Sequence, residues 1–95
     1  MSQKAVPRNK ENLEGTFEEL RTICEKLGVN VQLAELAGEG MSSGGLCKVK
    51  GQWRVIVDRR ASASERVSVL AKALCGFDLE GLFVSPKVRD LIARA

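Results

Sequence analysis

Residues 62–76, SASERVSVLAKALCG, define a helix at both of its ends. Ser62 followed three residues later by Glu65 is a capping box, in which each side chain bonds a backbone N–H of the first turn. Gly76 follows the last apolar position, where glycine commonly ends a helix. The apolar stripe of this helix is formed by Val67, Leu70, Ala71 and Leu74. A helix with one apolar stripe needs a second element to pack on, which the rest of the chain must supply.

A longer amphipathic helix is predicted over residues 12–27. Its apolar face is formed by Leu13, Phe17, Leu20, Cys24 and Leu27. Asn12 is the expected N-cap. Because Gly15 weakens the first turn, a start at Thr16 with Glu19 as its capping-box partner is the alternative.

A third helix is predicted to begin at Ser85-Pro86, an N-cap followed by proline at the first helical position. It runs to the last residue and turns Val88, Leu91 and Ile92 inward. The apolar connection before it, residues 77–84, is expected to be extended.

Three strands are predicted between the first two helices. Residues 29–36 alternate apolar and polar side chains, as a half-buried strand does. Residues 46–58 hold two β-rich runs around Lys50-Gly51-Gln52, which predicts a hairpin. The order α-β-β-β-α-α indicates an α+β fold, a small three-stranded, mostly antiparallel sheet with helices on one face. The strand over 53–58 is expected to be central, with Ile56 covered.

Charge separates the N-terminus from the rest. Lys4, Arg8 and Lys10 account for the whole net charge of +3, which leaves residues 11–95 neutral. We expect a flexible basic arm over residues 1–10 and a single domain over 11–95. No apolar stretch has the length of a membrane span or of a signal peptide, so a cytoplasmic protein without a membrane partner is expected.

Several kinds of chemistry are missing from the composition. The chain has no histidine, which removes the commonest general base and the commonest zinc ligand. No catalytic residue, metal or other cofactor is therefore predicted, and the chain is expected not to be an enzyme. The glycine-rich stretch 38–45 resembles a phosphate-binding loop, but it lacks the Lys-[Ser/Thr] ending and precedes a strand rather than a helix.

The three cysteines form no CxxC pair and are expected to be reduced. Cys24 and Cys75 occupy apolar helix positions, where core packing is expected. Cys47 is either one face of a strand or, because Lys48 follows it, a thiolate with a thiol-dependent activity.

Basic residues gather around the predicted hairpin and its single tryptophan. These candidate interaction residues are Lys48, Lys50, Trp53, Arg54, Arg59 and Arg60. Together with an acidic first helix they give a dipolar surface that suits a charged partner. We expect a regulatory or adaptor domain that binds an unidentified protein or itself as a homo-oligomer. The alternative is a nucleic-acid-associated protein, in which these cations contact phosphates and the indole stacks on a base.

Two segments resemble a known family. Val55-Ile56-Val57-Asp58-Arg59-Arg60 matches a strand end of the type Ile-x-Val-[Asn/Asp]-x-Arg, and a helix with a Glu-Arg start follows at residues 65–76. Over about residues 12–76 the chain resembles the minimal zincin-like fold of the bacterial and phage anti-repressor metallopeptidases. Where that family has His-Glu-Leu-Gly-His, this chain has Lys72-Ala73-Leu74-Cys75-Gly76. The resemblance thus implies a relative that keeps the scaffold and lacks both the metal ligands and the general base.

Overall fold

The computed structural model describes residues 8–35 and 44–95. The elements are α1 (Arg8–Lys26), β1 (Asn30–Ala34), β2 (Gly44–Val49), β3 (Gln52–Asp58), α2 (Ala63–Leu74) and α3 (Pro86–Arg94). This order confirms the predicted α-β-β-β-α-α arrangement and the α+β class. The remainder of the glycine-rich stretch, residues 38–43, lies outside the described residues, as do residues 1–7 of the expected basic arm.

The sheet has the strand order β1-β3-β2, so β3 is central, as the sequence predicted. β2 pairs with β3 in the antiparallel direction, whereas β1 pairs with β3 in parallel, with Val31 opposite Val55. The sheet is therefore mixed rather than mostly antiparallel. The short hairpin fixes the direction of β2, but β1 meets β3 across a long connection that allows either direction.

The hairpin turn consists of Lys50 and Gly51. Their φ angles are 53° and 81°, and two consecutive positive values are the mark of a type I′ turn. This turn type matches the right-handed twist of the paired strands, and glycine adopts it without strain. The predicted hairpin is confirmed, with Gln52 as the first residue of β3.

The core lies between one face of the sheet and helices α1 and α2, and α3 packs on these two helices. Val55 and Val57 of β3 are fully buried there, against Leu20 of α1 and Leu70 of α2. Neighbouring strand residues alternate in side-chain direction, so Arg54 and Ile56 point to the opposite face. Ile56 is half-buried on that face, which no helix of the described residues covers.

Both predicted caps of the later helices are confirmed. The Ser62 hydroxyl accepts from the Glu65 N–H at 3.2 Å, and the Glu65 carboxylate accepts from the Ser62 N–H at 3.0 Å. The Ser85 hydroxyl accepts from the Val88 N–H at the start of α3. The connection between α2 and α3 contains turns rather than the expected extended run, and Gly81 there has a φ of 88°.

The start of α1 differs from both predictions. The helix begins at Arg8, upstream of Asn12, and it includes residues 8–10 of the expected arm. Residues 8–11 include arginine, lysine and glutamate, which favour helix and extend it past the polar residue expected to cap it. Thr16 is a buried interior residue rather than a cap. The Glu19 carboxylate instead accepts from the Ser85 N–H at 3.0 Å, which ties α1 to the start of α3.

Helices capable of spanning a bilayer are absent from the part of the chain that the structure describes.

Candidate functional site

The predicted interaction residues lie in three separate places. Lys48 and Trp53 are cross-strand partners near the hairpin end of the sheet, beside the exposed turn residue Lys50. The Lys48 ammonium lies 5.0 Å from the centroid of the Trp53 ring, a cation–π contact. Trp53 shares the helix-facing side of β3 with Val55 but is 37% exposed, because it lies where the core ends.

Arg54 lies on the opposite face of the sheet from Trp53. Its Nη1 donates to the Gln32 side-chain oxygen at 3.4 Å, and its Nε is buried without a partner among the described residues. Cys47 is the register partner of Arg54 and shares that face. Lys48 therefore points away from Cys47, so the sequence neighbour that suggested an activated thiolate lies on the other side of the strand.

Arg59 and Arg60 lie at the other end of β3. They follow Asp58, the last residue of the strand, which lies about 16 Å from Trp53 at roughly 3.3 Å for each strand residue. The Asp58 carboxylate accepts from the Arg60 N–H at 2.9 Å and pairs with its guanidinium at 3.4 Å. The structure thus brings Lys48, Lys50 and Trp53 together and leaves the arginines apart.

A groove runs between β2 and α2, and we call it the β2–α2 groove. Its volume is about 490 Å³. It is lined by Gly44, Gly45 and Leu46 from β2 and by Glu65, Ser68, Val69, Lys72 and Ala73 from α2. The lining combines apolar surface along the groove with charged side chains on α2.

The outer edge of β2, the side turned away from β3, borders this groove. In a two-residue hairpin the residues flanking the turn form a hydrogen-bonded pair, here Val49 with Gln52, and such pairs alternate along the ladder. Leu46 and Lys48 belong to the other set, so their backbone N–H and C=O groups point outward. No described strand lies on that side. An outward row of this kind is a template for a further strand.

The groove has a direction and two different ends. α2 begins just after the end of β3, where Gly44 pairs with Val57, so Glu65 lies near Gly44. At the hairpin end, Phe77 follows α2 and meets Trp53 edge to face at 5.8 Å. Lys72 lies between these ends. The groove therefore has the carboxylate of Glu65 at one end. The ammonium groups of Lys72 and Lys48 lie toward the other end, where Trp53 and Phe77 meet.

Sequence reasoning missed most of this groove, because α2 was read only for its core stripe. Val69 is apolar but lies off that stripe and is half-buried in the groove. Leu46 is similarly 36% exposed at the edge. Val69, an apolar residue outside the core face of a well-defined helix, was the feature of the sequence that could have indicated a second surface on α2.

The three cysteines are free and differ in environment. Cys24 is buried, as predicted, and desolvation there, with a smaller effect of the Glu25 charge, raises the pKa of its thiol to about 11. Cys75 is exposed at the C-cap of α2, so the prediction that it packs in the core is wrong. It lies one residue beyond the last buried position of the stripe, where the helix surface turns outward. Cys47 is half-buried.

Within residues 8–35 and 44–95, no three cysteine or carboxylate side chains come together as a metal site would require. Lys72 and Ala73 line the β2–α2 groove. Both belong to the stretch 72–76 that the sequence comparison set against the metallopeptidase motif, and that resemblance stays a prediction. Comparisons with protein-family models, curated proteins and solved structures find no match for the chain.

Proposed function

We propose that this chain is a non-enzymatic protein-binding domain with a regulatory or adaptor role. Its partner docks as an extended segment at the outer edge of β2, beside α2. The observation that carries the proposal is the coincidence of a strand edge with which no described strand pairs and a groove of about 490 Å³. Backbone bonds to an added strand supply affinity, and alternate side chains entering the groove supply selectivity.

The outward backbone groups of β2 and the apolar surface of the groove both support a protein ligand in particular. Leu46 and Lys48 offer two outward backbone N–H groups and two carbonyls with the spacing of a β-ladder, which a peptide backbone matches. Val69 and Ala73 offer apolar surface between them and α2. Every second side chain of an added strand turns toward this surface, while the others face solvent.

The distribution of cations argues against nucleic acid as the principal ligand. A phosphate backbone binds best to a continuous basic face. Arg54 lies on the opposite face of the sheet from Lys48, and Arg59 lies beyond the other end of β3. A thiol-dependent reaction has less support, since Lys48 and Cys47 lie on opposite faces of β2.

In-cell photocrosslinking tests the proposal. A benzoylphenylalanine side chain is introduced at Ser68, which is exposed in the groove, and, as the matched control, at Arg89, which is exposed on α3. Irradiation is expected to give a discrete adduct with a protein chain from position 68 and none of the same mass from position 89. Both a different protein and a second copy of this chain count as support.

The result that overturns the proposal is the absence of any adduct specific to position 68. A parallel lysate, treated with nuclease before it is irradiated, tests the alternative function of nucleic-acid association. Adducts that vanish with nuclease indicate a complex held by nucleic acid, whereas adducts that persist indicate direct docking of protein.

A further inference from the structure

We infer that the hairpin end of the sheet binds acidic side chains of a protein partner. The binding surface consists of Lys48, Lys50, Trp53 and Phe77, and we call it the hairpin-end surface. Its ligand is a short acidic segment, whose carboxylates pair with the two lysines while its apolar atoms lie on the aromatic rings. The inference goes beyond the proposed function, because it uses side chains alone and requires no strand to pair with β2.

The hairpin-end surface carries two ammonium groups that the acids of the described residues do not neutralise. Lys48 and Lys50 are both exposed, the first in β2 and the second in the turn. The ion pairs within the described residues lie elsewhere, on α1, at the end of β3 and on α3. Asp78, which follows Phe77, directs its carboxylate to the Glu80 N–H, from which it accepts at 3.0 Å. Both ammonium groups are therefore available to carboxylates of another molecule.

Beside these cations lies aromatic surface that the fold holds in one orientation. The Trp53 side chain is 37% exposed. The Lys48 ammonium lies 5.0 Å from the ring centroid, and the Phe77 ring meets the indole at 5.8 Å in a T-shaped contact. A ring held in place loses little conformational entropy on binding, and tryptophan is common among the residues that contribute most to interfaces. The indole therefore offers a rigid surface to the apolar part of a ligand whose charges the lysines bind.

The charges on the rest of the molecule favour a short acidic segment over a long polyanion. Glu14, Glu18 and Glu25 are exposed along α1 and repel further negative charge. Arg54 lies on the opposite face of the sheet from Lys48, so a nucleic-acid strand that leaves the hairpin-end surface meets no continuous basic face. A pair of carboxylates on one short segment needs only the two lysines.

Titration with a synthetic peptide tests the inference. The probe is acetyl-Asp-Glu-Leu-Asp-Glu-amide, and its neutral counterpart, acetyl-Asn-Gln-Leu-Asn-Gln-amide, has nearly the same shape. Trp53 is the only tryptophan, so its fluorescence reports binding at the hairpin-end surface directly. We expect a saturable change in emission with the acidic peptide alone, and a dissociation constant that rises as salt screens the charges. Isothermal titration calorimetry measures the same constant without relying on the indole.

Paired variants locate the binding site. Lys48→Gln combined with Lys50→Gln removes both ammonium groups and is expected to raise the dissociation constant of the acidic peptide about tenfold or more. Lys87→Gln combined with Arg89→Gln removes the same charge from the exposed side of α3, and it is expected to change the constant by less than about twofold. Circular dichroism confirms that each variant folds. Lys50→Gln alone keeps the contact between Lys48 and the indole, and it should give part of the loss.

Equal binding of the two peptides, equal losses in the two double variants, or no binding of the acidic peptide at low salt overturns the inference. An oligothymidylate of the same charge that binds more tightly than the acidic peptide also overturns it, and assigns the surface to nucleic acid. The proposed function is judged separately by the crosslinks at Ser68, which lies in the β2–α2 groove. A protein adduct there, without binding of the acidic peptide, supports the proposed function and removes only this inference.

Discussion

Lys48 and Trp53 face each other across the β2–β3 hairpin, with the ammonium 5.0 Å from the centroid of the indole ring. The Phe77 ring contacts the same indole in a T-shaped arrangement, with 79° between the two ring planes. At the hairpin end of the sheet, the Trp53 ring thus contacts one cation and one aromatic ring, and no buried aliphatic side chain takes this place.

Lys48→Met tests the cation–π contact, because methionine keeps much of the apolar stem and removes the charge. We expect the free energy of unfolding to fall by about 0.5–1 kcal/mol, the usual value of such a contact at an exposed site. Urea denaturation followed by fluorescence measures it directly, since Trp53 is the only tryptophan. Lys50→Met, which removes a neighbouring charge from the turn, is the control. An equal loss in both variants would show a general charge effect instead of a contact with the ring.

Lys50→Asn is expected to stabilise the protein. Lys50 has a φ of 53°, in the left-handed region that costs most residues about 1 kcal/mol or more and that asparagine tolerates better. Asn-Gly is also the preferred pair for a type I′ turn. The expected gain in the free energy of unfolding is about 0.5–1 kcal/mol. Gln52→Asn, in extended backbone two residues on, is the comparison and should give no gain; a gain there of equal size would contradict the explanation.

Gly44→Ala and Gly45→Ala are expected to differ sharply although the residues are adjacent. A Cβ on Gly44 would run into the backbone carbonyl of Ile56, and its φ of 149° is already unfavourable for other residues. A Cβ on Gly45 would meet nothing within 4 Å. Gly44→Ala should lower the free energy of unfolding by roughly 1–3 kcal/mol, while Gly45→Ala should change it little. Similar denaturation midpoints for the two variants would show that the start of β2 adjusts freely.

Stability should fall at alkaline pH because of Cys24. Its thiol has a pKa raised from 9.0 to about 11, so the folded protein holds this proton more tightly than the unfolded chain does. The contribution of the protonated Cys24 thiol to the free energy of unfolding is complete below pH 9 and is lost as the pH rises to about 11. It amounts to up to roughly 3 kcal/mol at about 1.4 kcal/mol per pH unit.

Guanidinium denaturation at several pH values, under reducing conditions, measures this dependence. Cys24→Ala should be less stable at neutral pH, because it removes a buried sulfur, and its disadvantage should shrink between pH 9 and 11. The exposed Cys75 provides the control, since Cys75→Ala should leave the slope with pH unchanged. A constant difference between the wild type and Cys24→Ala across this range would refute the prediction.

Local signals in the sequence predicted those parts of the fold that local interactions determine. The side chains of Ser62 and Glu65 each accept from the other residue's backbone N–H, so four residues are enough to predict the start of α2. Gly51 likewise predicts the hairpin turn, because the positive φ there is a local property of the backbone that glycine tolerates. The parallel pairing of β1 with β3 was not predicted, because Val31 and Val55 meet across a separation in sequence that apolar periodicity does not describe.

The candidate site was predicted only in part, and the reason is again physical. Counting cations along residues 48–60 ignored the alternation of strand side chains, which sends Arg54 to the face opposite Trp53. That separation was available from the sequence once the strand had been assigned. The β2–α2 groove was not, since it depends on the distance between Leu46 and Val69, which belong to different elements.

The parallel pairing of β1 with β3 also sets an order of events during synthesis. Among the described strands, β1 has β3 as its only neighbour, and the last residue of β3 follows Ala34 by 24 positions. A chain emerging from the ribosome therefore exposes β1 before any strand exists to receive it. The β2–β3 hairpin can close on the microsecond timescale through its two-residue turn. The slower step is the return of β1 to this hairpin, which closes the longer loop, so α1 is left to cover the apolar residues of β1 in the interval.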